Sequence, residues 1–173
     1  MNWQKSDDAA VAPILVLGVG NVLLADDGVG PRLAHELQAL YAGVDAVECV
    51  DGGTQGLALL AYFTGRDAVI ILDAFSAGKK PGTVTVLEGP AVLGCGATRA
   101  TTAHEGNAGE LLATAHLLGD LPERLFLVGI EPERVQTELG LSDCVATALP
   151  VAFTRACEII ELELARIEEQ QVA

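Results

Sequence analysis

The stretch from Ile14 to Gly30, ILVLGVGNVLLADDGVG, constrains this chain more than any other. It begins with four apolar residues, Ile14 to Leu17, bounded by glycine, which predicts a strand buried within a parallel sheet. Gly18-Val19-Gly20-Asn21 ends that strand, since glycine adopts backbone angles that other residues avoid. Two adjacent carboxylates, Asp26 and Asp27, then lead into Gly28-Val29-Gly30-Pro31. A helix is expected from there, with Pro31 at its first position, where a missing N–H is no loss.

A strand, a glycine-rich turn and a helix also describe a dinucleotide site. Such a site needs G-x-G-x-x-G, so that the backbone approaches a pyrophosphate at the helix N-terminus. Gly18 and Gly20 fit, but the third glycine position is Leu23, and two nearby carboxylates repel phosphate. The pattern resembles instead the opening signature of the nickel–iron hydrogenase maturation endopeptidases, which trim the C-terminus of a hydrogenase large subunit. That signature runs G-x-G-N, a hydrophobic stretch, then D-[DE]-G-x-G, and Gly18 to Gly30 match it at every named position.

A chain of 173 residues suits one domain, expected over residues 13–170 behind a loose N-terminal tail of residues 1–12. Half of its residues are hydrophobic but only 4% are aromatic, so the core is expected to be aliphatic. The net charge of −14 argues against nucleic acid or an anionic membrane as partner. Ala9 to Ala25 is nearly all apolar, yet it is short for a span, and Asp7 and Asp8 precede it where a signal peptide carries positive charge. Cys49, Cys95, Cys144 and Cys157 form no C-x-x-C pair, and the segments around Cys49 and Cys157 suggest buried thiols. The expectation is a reduced, cytoplasmic, monomeric protein.

Along the chain, Leu33, Leu37, Leu40 and Tyr41 recur with a helical period. Ala46 to Val50 predicts a second strand ending at Asp51-Gly52-Gly53-Thr54, and Leu57 to Phe63 a short buried helix. Ala68 to Leu72 predicts a third strand that runs into Asp73. Thr83 to Leu87 alternates with period two behind a short turn, as an antiparallel edge strand does. Glu88 to Thr102 reads as a long irregular loop, delivering His104 ahead of a helix marked by Leu111, Leu112, Ala115 and Leu118. Arg124 to Ile130 predicts a fifth strand, followed by a polar excursion from Glu131 to Leu141. Ser142 or Asp143 is expected to cap the closing helix, which Pro150 should kink or restart. Cys157, Ile160, Leu164 and Ile167 share one face of that helix.

Strands alternating with helices predict a three-layer α/β/α sandwich, with a mostly parallel five-stranded twisted sheet and one antiparallel edge strand. Ligands bind beyond the carboxyl ends of such strands. Three strands lead to acids there: Asp26/Asp27 after a short loop, Asp51 and Asp73 directly. Right-handed crossovers bring those ends to one rim. Asp27, Asp73 and His104 offer carboxylate oxygen and imidazole nitrogen, which suit a borderline divalent metal such as nickel or zinc. The plainer readings are that Asp73 caps a turn, that one acid of the pair faces the positive end of the next helix, and that His104 is a solvated loop residue. His35 and His116, both in predicted helices, are expected at the surface.

Other hydrolase machinery is missing from the sequence. His104-Glu105 begins like H-E-x-x-H, but Ala108 stands at the second histidine position. There is no G-x-S-x-G, and the serines are Ser6, Ser76 and Ser142. Cys95, near His104 in sequence, remains a candidate nucleophile.

The resemblance extends from Ile14 to about Ile167, through DGGT after the second strand, ILDA at the end of the third, and a histidine before a helix. It implies that Asp27, Asp73 and His104 are the metal-binding and catalytic residues. It places Asp51, with Gly52, Gly53 and Thr54, at a cleft position linked to substrate choice. It further implies that nickel arrives bound in the substrate, the precursor of a [NiFe] hydrogenase large subunit, rather than residing in the protease. The three side chains then sense that nickel before the C-terminal peptide is cut, by an aspartic-type or a nickel-assisted mechanism. A non-catalytic chaperone sensing nickel in the same precursor uses the same residues and is the alternative.

Overall fold

The computed structural model describes residues 11–97 and 108–172. Five strands form one sheet in the order β2-β1-β3-β5-β4: β1 Ile14–Val19, β2 Val47–Gly53, β3 Ala68–Ala74, β4 Val84–Glu88 and β5 Arg124–Ile130. β1, β2, β3 and β5 run parallel, and β4 joins β5 antiparallel at the edge, as its alternating sequence predicts. The helices are α1 Val29–Leu40, α2 Pro90–Ala97, α3 Ala108–Leu118 and α4 Asp143–Val172. Two 3-10 segments, Ala25–Gly28 and Gly56–Tyr62, follow β1 and β2.

The pleat of the central strands divides their side chains between two cores. Ile14, Val16, Ile70, Leu72, Phe126 and Val128 face a layer built from α1 and α4. Leu15, Leu17, Val69, Ile71, Leu125 and Leu127 face Leu59, Phe63, Val92 and α3. Helices therefore cover both faces, and runs such as ILVL and AVIIL are apolar throughout because each residue has a core to enter. Burying each such side chain stabilises the fold by about 1.5–3 kcal/mol.

At the end of the sheet away from the acid rim, the buried carboxylate of Glu163 on α4 accepts hydrogen bonds from Arg124 and Arg166, at 3.0 and 2.8 Å. Arg124 also pairs with Glu88 at 2.8 Å, so β4, β5 and α4 are joined by one charged cluster.

Several expectations are corrected. Helix α2 occupies much of the predicted irregular loop from Glu88 to Thr102; glycines at 94 and 96 obscure a short apolar helix that carries no clear period. Residues 98–107, His104 among them, lie outside the described residues, as do 1–10 of the expected tail. Gly56–Tyr62 is 3-10 rather than a buried helix, and Leu59 is its one buried residue. Leu40 and Leu118 are exposed, off the predicted stripes. Pro31 is the third residue of α1, not the first, still within the turn whose N–H groups lack intrahelical acceptors. Helix α4 runs through Pro150 without interruption; that residue is exposed. Ser142 does stand at the N-cap position of α4, its carbonyl accepting the Ala146 N–H at 2.8 Å, but its hydroxyl donates to Asp26.

Among the described residues no helix is long and apolar enough to cross a membrane. Cys49, Cys144 and Cys157 are unbridged and half-buried. His35 and His116 are exposed, as expected.

Candidate active site at the carboxyl rim

Because β2, β1 and β3 are adjacent and parallel, their acids emerge together. Gly18 of β1 is in register with Asp51 on one side and Leu72, immediately before Asp73, on the other. The loop leaving β1 is tied to the end of β2, since the Gly20 N–H donates to the Gly53 carbonyl at 3.0 Å. The 3-10 turn carrying Asp26 and Asp27 packs against β3.

Glycine is what permits this compaction. A Cβ at Gly30 would collide with the carbonyl oxygens of both Val19 and Leu72, at the ends of β1 and β3. Gly20 adopts φ +134°, and a side chain there would meet the Asp27 carbonyl. The glycines of the signature thus seat the start of α1 on the strand ends. Ala25, buried and non-glycine, sits at φ 49°, a strained conformation costing about 1–2 kcal/mol directly before the acid pair.

The two neighbouring acids have different environments. Asp26 is 0% exposed. Its Oδ1 accepts the Ser142 N–H at 2.6 Å. Its Oδ2 accepts the N–H groups of Glu133 and Arg134 at 2.9 and 3.0 Å and the Ser142 hydroxyl at 2.9 Å. Burial pushes the Asp26 pKa up, but the hydrogen bonds from Ser142, Arg134 and Glu133 outweigh it and hold the carboxyl below its usual range. Asp26 therefore stays ionised and clamps the 131–142 excursion.

Asp27 is half-buried at the rim, and its Oδ2 accepts the Asn21 N–H at 2.8 Å. The Asn21 side chain folds back to accept the Leu23 N–H at 2.9 Å, an Asx turn that shapes the loop. Asp27 also lies just before the N-terminus of α1, where the helix dipole favours its charge.

Asp73 lies in β3, half-buried, opposite Gly129 of β5. The loop beyond it is held by a second buried carboxylate. Glu131 accepts the N–H groups of Ala77, Gly78 and Lys79 at 2.5, 3.2 and 3.1 Å. Asp51 is exposed at the end of β2, where its Oδ1 accepts the Gly53 N–H at 3.0 Å; Gly52 is buried and Thr54 exposed.

Sequence reasoning took Asn21 only as a signature position and Ser142 only as a helix cap, and gave Glu131 no role. Asn21 carried a signal, an asparagine directly after a glycine break; Glu131 and Ser142 act through partners more than 50 positions away. Among the described residues no three His, Cys, Asp or Glu side chains are gathered to hold a metal ion. Two rim acids are nonetheless oxygen donors that a divalent metal accepts. A groove of about 530 Å³ beside β2, lined by Tyr41, Cys49 and Arg66, includes none of the rim acids.

A family model described as hydrogenase maturation protease matches residues 31–159, starting directly after the glycine–acid signature. The hydrogenase 2 maturation protease of Escherichia coli K12 is 38% identical over 144 residues, which cover 81% of this chain and 85% of that protein. The hydrogenase expression/formation protein HupD of Rhizobium leguminosarum bv. viciae is 36% identical over 148 residues, 85% of this chain and 73% of that protein. Among solved structures, the hydrogenase maturating endopeptidase HybD from E. coli superposes with a TM-score of 0.76 at 32% identity, covering 87% of this chain and 93% of that one. The family model covers most of the chain, the E. coli relative is 38% identical over most of both chains, and the HybD structure has the same fold, so the chain belongs to the hydrogenase maturation protease family and is an endopeptidase of that fold.

Proposed function

We propose that this endopeptidase removes the C-terminal peptide from the precursor of a [NiFe] hydrogenase large subunit, and that it recognises nickel already bound in that precursor. The observation that supports this most is the split within the acid pair. Asp26 is saturated and buried, whereas Asp27 is at the rim, on a turn packed against the strand that carries Asp73. Asp27 on the turn after β1 and Asp73 at the end of β3, with the imidazole that the family resemblance assigns to His104, would offer nickel a mixed oxygen and nitrogen set.

In this reading nickel is cargo of the substrate. Asp27, Asp73 and His104 complete its coordination, so an unloaded precursor offers them nothing to bind. The metal and the rim acids then polarise the scissile carbonyl and activate a water. Asp51, Gly52, Gly53 and Thr54, on the neighbouring strand end, contact the part of the precursor that distinguishes one hydrogenase from another.

The test is the intact mass of purified precursor after incubation with the protein, with and without nickel loaded. Loss of a C-terminal peptide in the loaded sample alone is expected. Equal cleavage of both samples would remove nickel sensing, and nickel-dependent binding without cleavage would favour the chaperone alternative.

A further inference from the structure

We infer that Val22, Leu23 and Leu139 form an apolar lip that seats a non-polar stretch of the substrate next to the rim acids. This inference rests on the proposed reaction and extends it to how the precursor's chain is held.

The three side chains are exposed by 54%, 56% and 78%. Separate loops supply them, and backbone hydrogen bonds draw those loops together. The Glu138 N–H donates to the Leu23 carbonyl at 3.1 Å, and the Ala25 N–H donates to the Glu138 carbonyl at 2.8 Å. Leu24 and Glu138 form a parallel bridge, so Leu23 and Leu139 flank one short two-stranded tie. The Asp26 clamp on Glu133, Arg134 and Ser142 fixes the far loop in place. A lone exposed aliphatic side chain is ordinary, but three on two loops tied together beside the rim offer area for apolar contact.

The location says what covers them. Asn21, adjacent to Val22, donates its N–H to the Asp27 carboxylate at 2.8 Å. A macromolecule that brings a metal to that carboxylate must lie over the loop from Asn21 to Leu23. The charged groups of the far loop are engaged with one another, and Gln136 donates to Glu138 at 2.9 Å. Arg134 is paired with both Glu133 and Glu138, at 2.9 and 3.2 Å, so its charge is already engaged. What the lip offers is apolar area, and its occupant is a non-polar segment of the precursor adjoining the cleavage site.

The test compares wild type, the double variant Leu23→Ser/Leu139→Ser, and Leu162→Ser, a control at an equally exposed leucine on α4. All three are expected to melt together, since none of these side chains is buried. Affinity for nickel-loaded precursor and its cleavage are measured separately. The double variant is expected to bind at least tenfold more weakly and to show a raised KM with kcat little changed, while Leu162→Ser matches wild type. Unchanged affinity in the double variant would overturn the lip. Weakened binding in the double variant with no cleavage by wild type would keep the lip and overturn the protease reading. Wild type that neither binds nor cuts loaded precursor would overturn both.

Discussion

Asp26 and Ser142 lie 116 positions apart and are joined by two hydrogen bonds, from the Ser142 N–H at 2.6 Å and from its hydroxyl at 2.9 Å. That contact fastens the loop after β1 to the approach to α4, and Glu131 fastens the same excursion to the loop after β3. The loops that carry Asp27 and follow Asp73 are thereby linked through two carboxylates buried within the protein.

Asp26→Asn replaces an ionised acceptor of four donors with an amide that turns its own N–H groups toward some of them. A loss of about 2–4 kcal/mol at neutral pH is expected in denaturant unfolding. The folded-state pKa of Asp26 is lowered, so its contribution is present above the unfolded carboxyl value, about 3.9, and is lost as pH falls through the folded value. The gap between wild type and variant should therefore close in acid. A gap that widened below pH 4 would contradict this account.

Glu131→Gln leaves three backbone N–H groups, those of Ala77, Gly78 and Lys79, with a poorer acceptor. About 1–3 kcal/mol of stability should be lost. Amide hydrogen exchange is the sharper measurement: protection should fall first at residues 77–79 and spare the centre of β3.

Gly30→Ala forces a methyl group against two backbone carbonyls, those of Val19 and Leu72, neither of which is a flexible side-chain end. The start of α1 must lift from the sheet, at a cost of about 3 kcal/mol. Gly43→Ala serves as the contrast for space: that glycine has nothing near its Cβ position, and its φ of +90° leaves conformational strain alone. Thermal melts of the two should separate crowding from strain, with Gly30→Ala the less stable.

Asp27→Asn and Asp73→Asn remove the charges assigned to nickel while retaining similar shape. In the proposed reaction each carboxylate would supply several kcal/mol of interaction with a metal-centred transition state, so processing of nickel-loaded precursor should fall about 100-fold or more. Secondary structure by circular dichroism should be unchanged. Processing at normal rates by both variants would remove these residues from the site.

Much of this architecture was legible in the sequence, for a reason that particular segments make plain. Runs such as AVIIL and RLFLVGI have few alternatives to a buried strand, and TVTVL behind a glycine turn announces an edge. The acids ending β2 and β3 follow from strand direction alone. Helix α2 was not legible, because Gly94 and Gly96 make an apolar helix look like a loop. Gly56–Tyr62 misled in the opposite direction, being apolar in composition but mostly unburied. The separate environments of Asp26 and Asp27 were hidden more deeply, the family resemblance alone having singled out Asp27. Two identical side chains, side by side, are distinguished by Ser142 and Arg134, which only the folded chain brings within hydrogen-bonding reach.

The most direct measurement is nickel K-edge X-ray absorption on loaded precursor, alone and in complex with this protein, trapped before cleavage. Complex formation should add oxygen and nitrogen neighbours to the nickel, and the added oxygen should disappear with Asp27→Ala/Asp73→Ala. A nickel environment identical in free and bound precursor would contradict recognition of the metal by the rim acids.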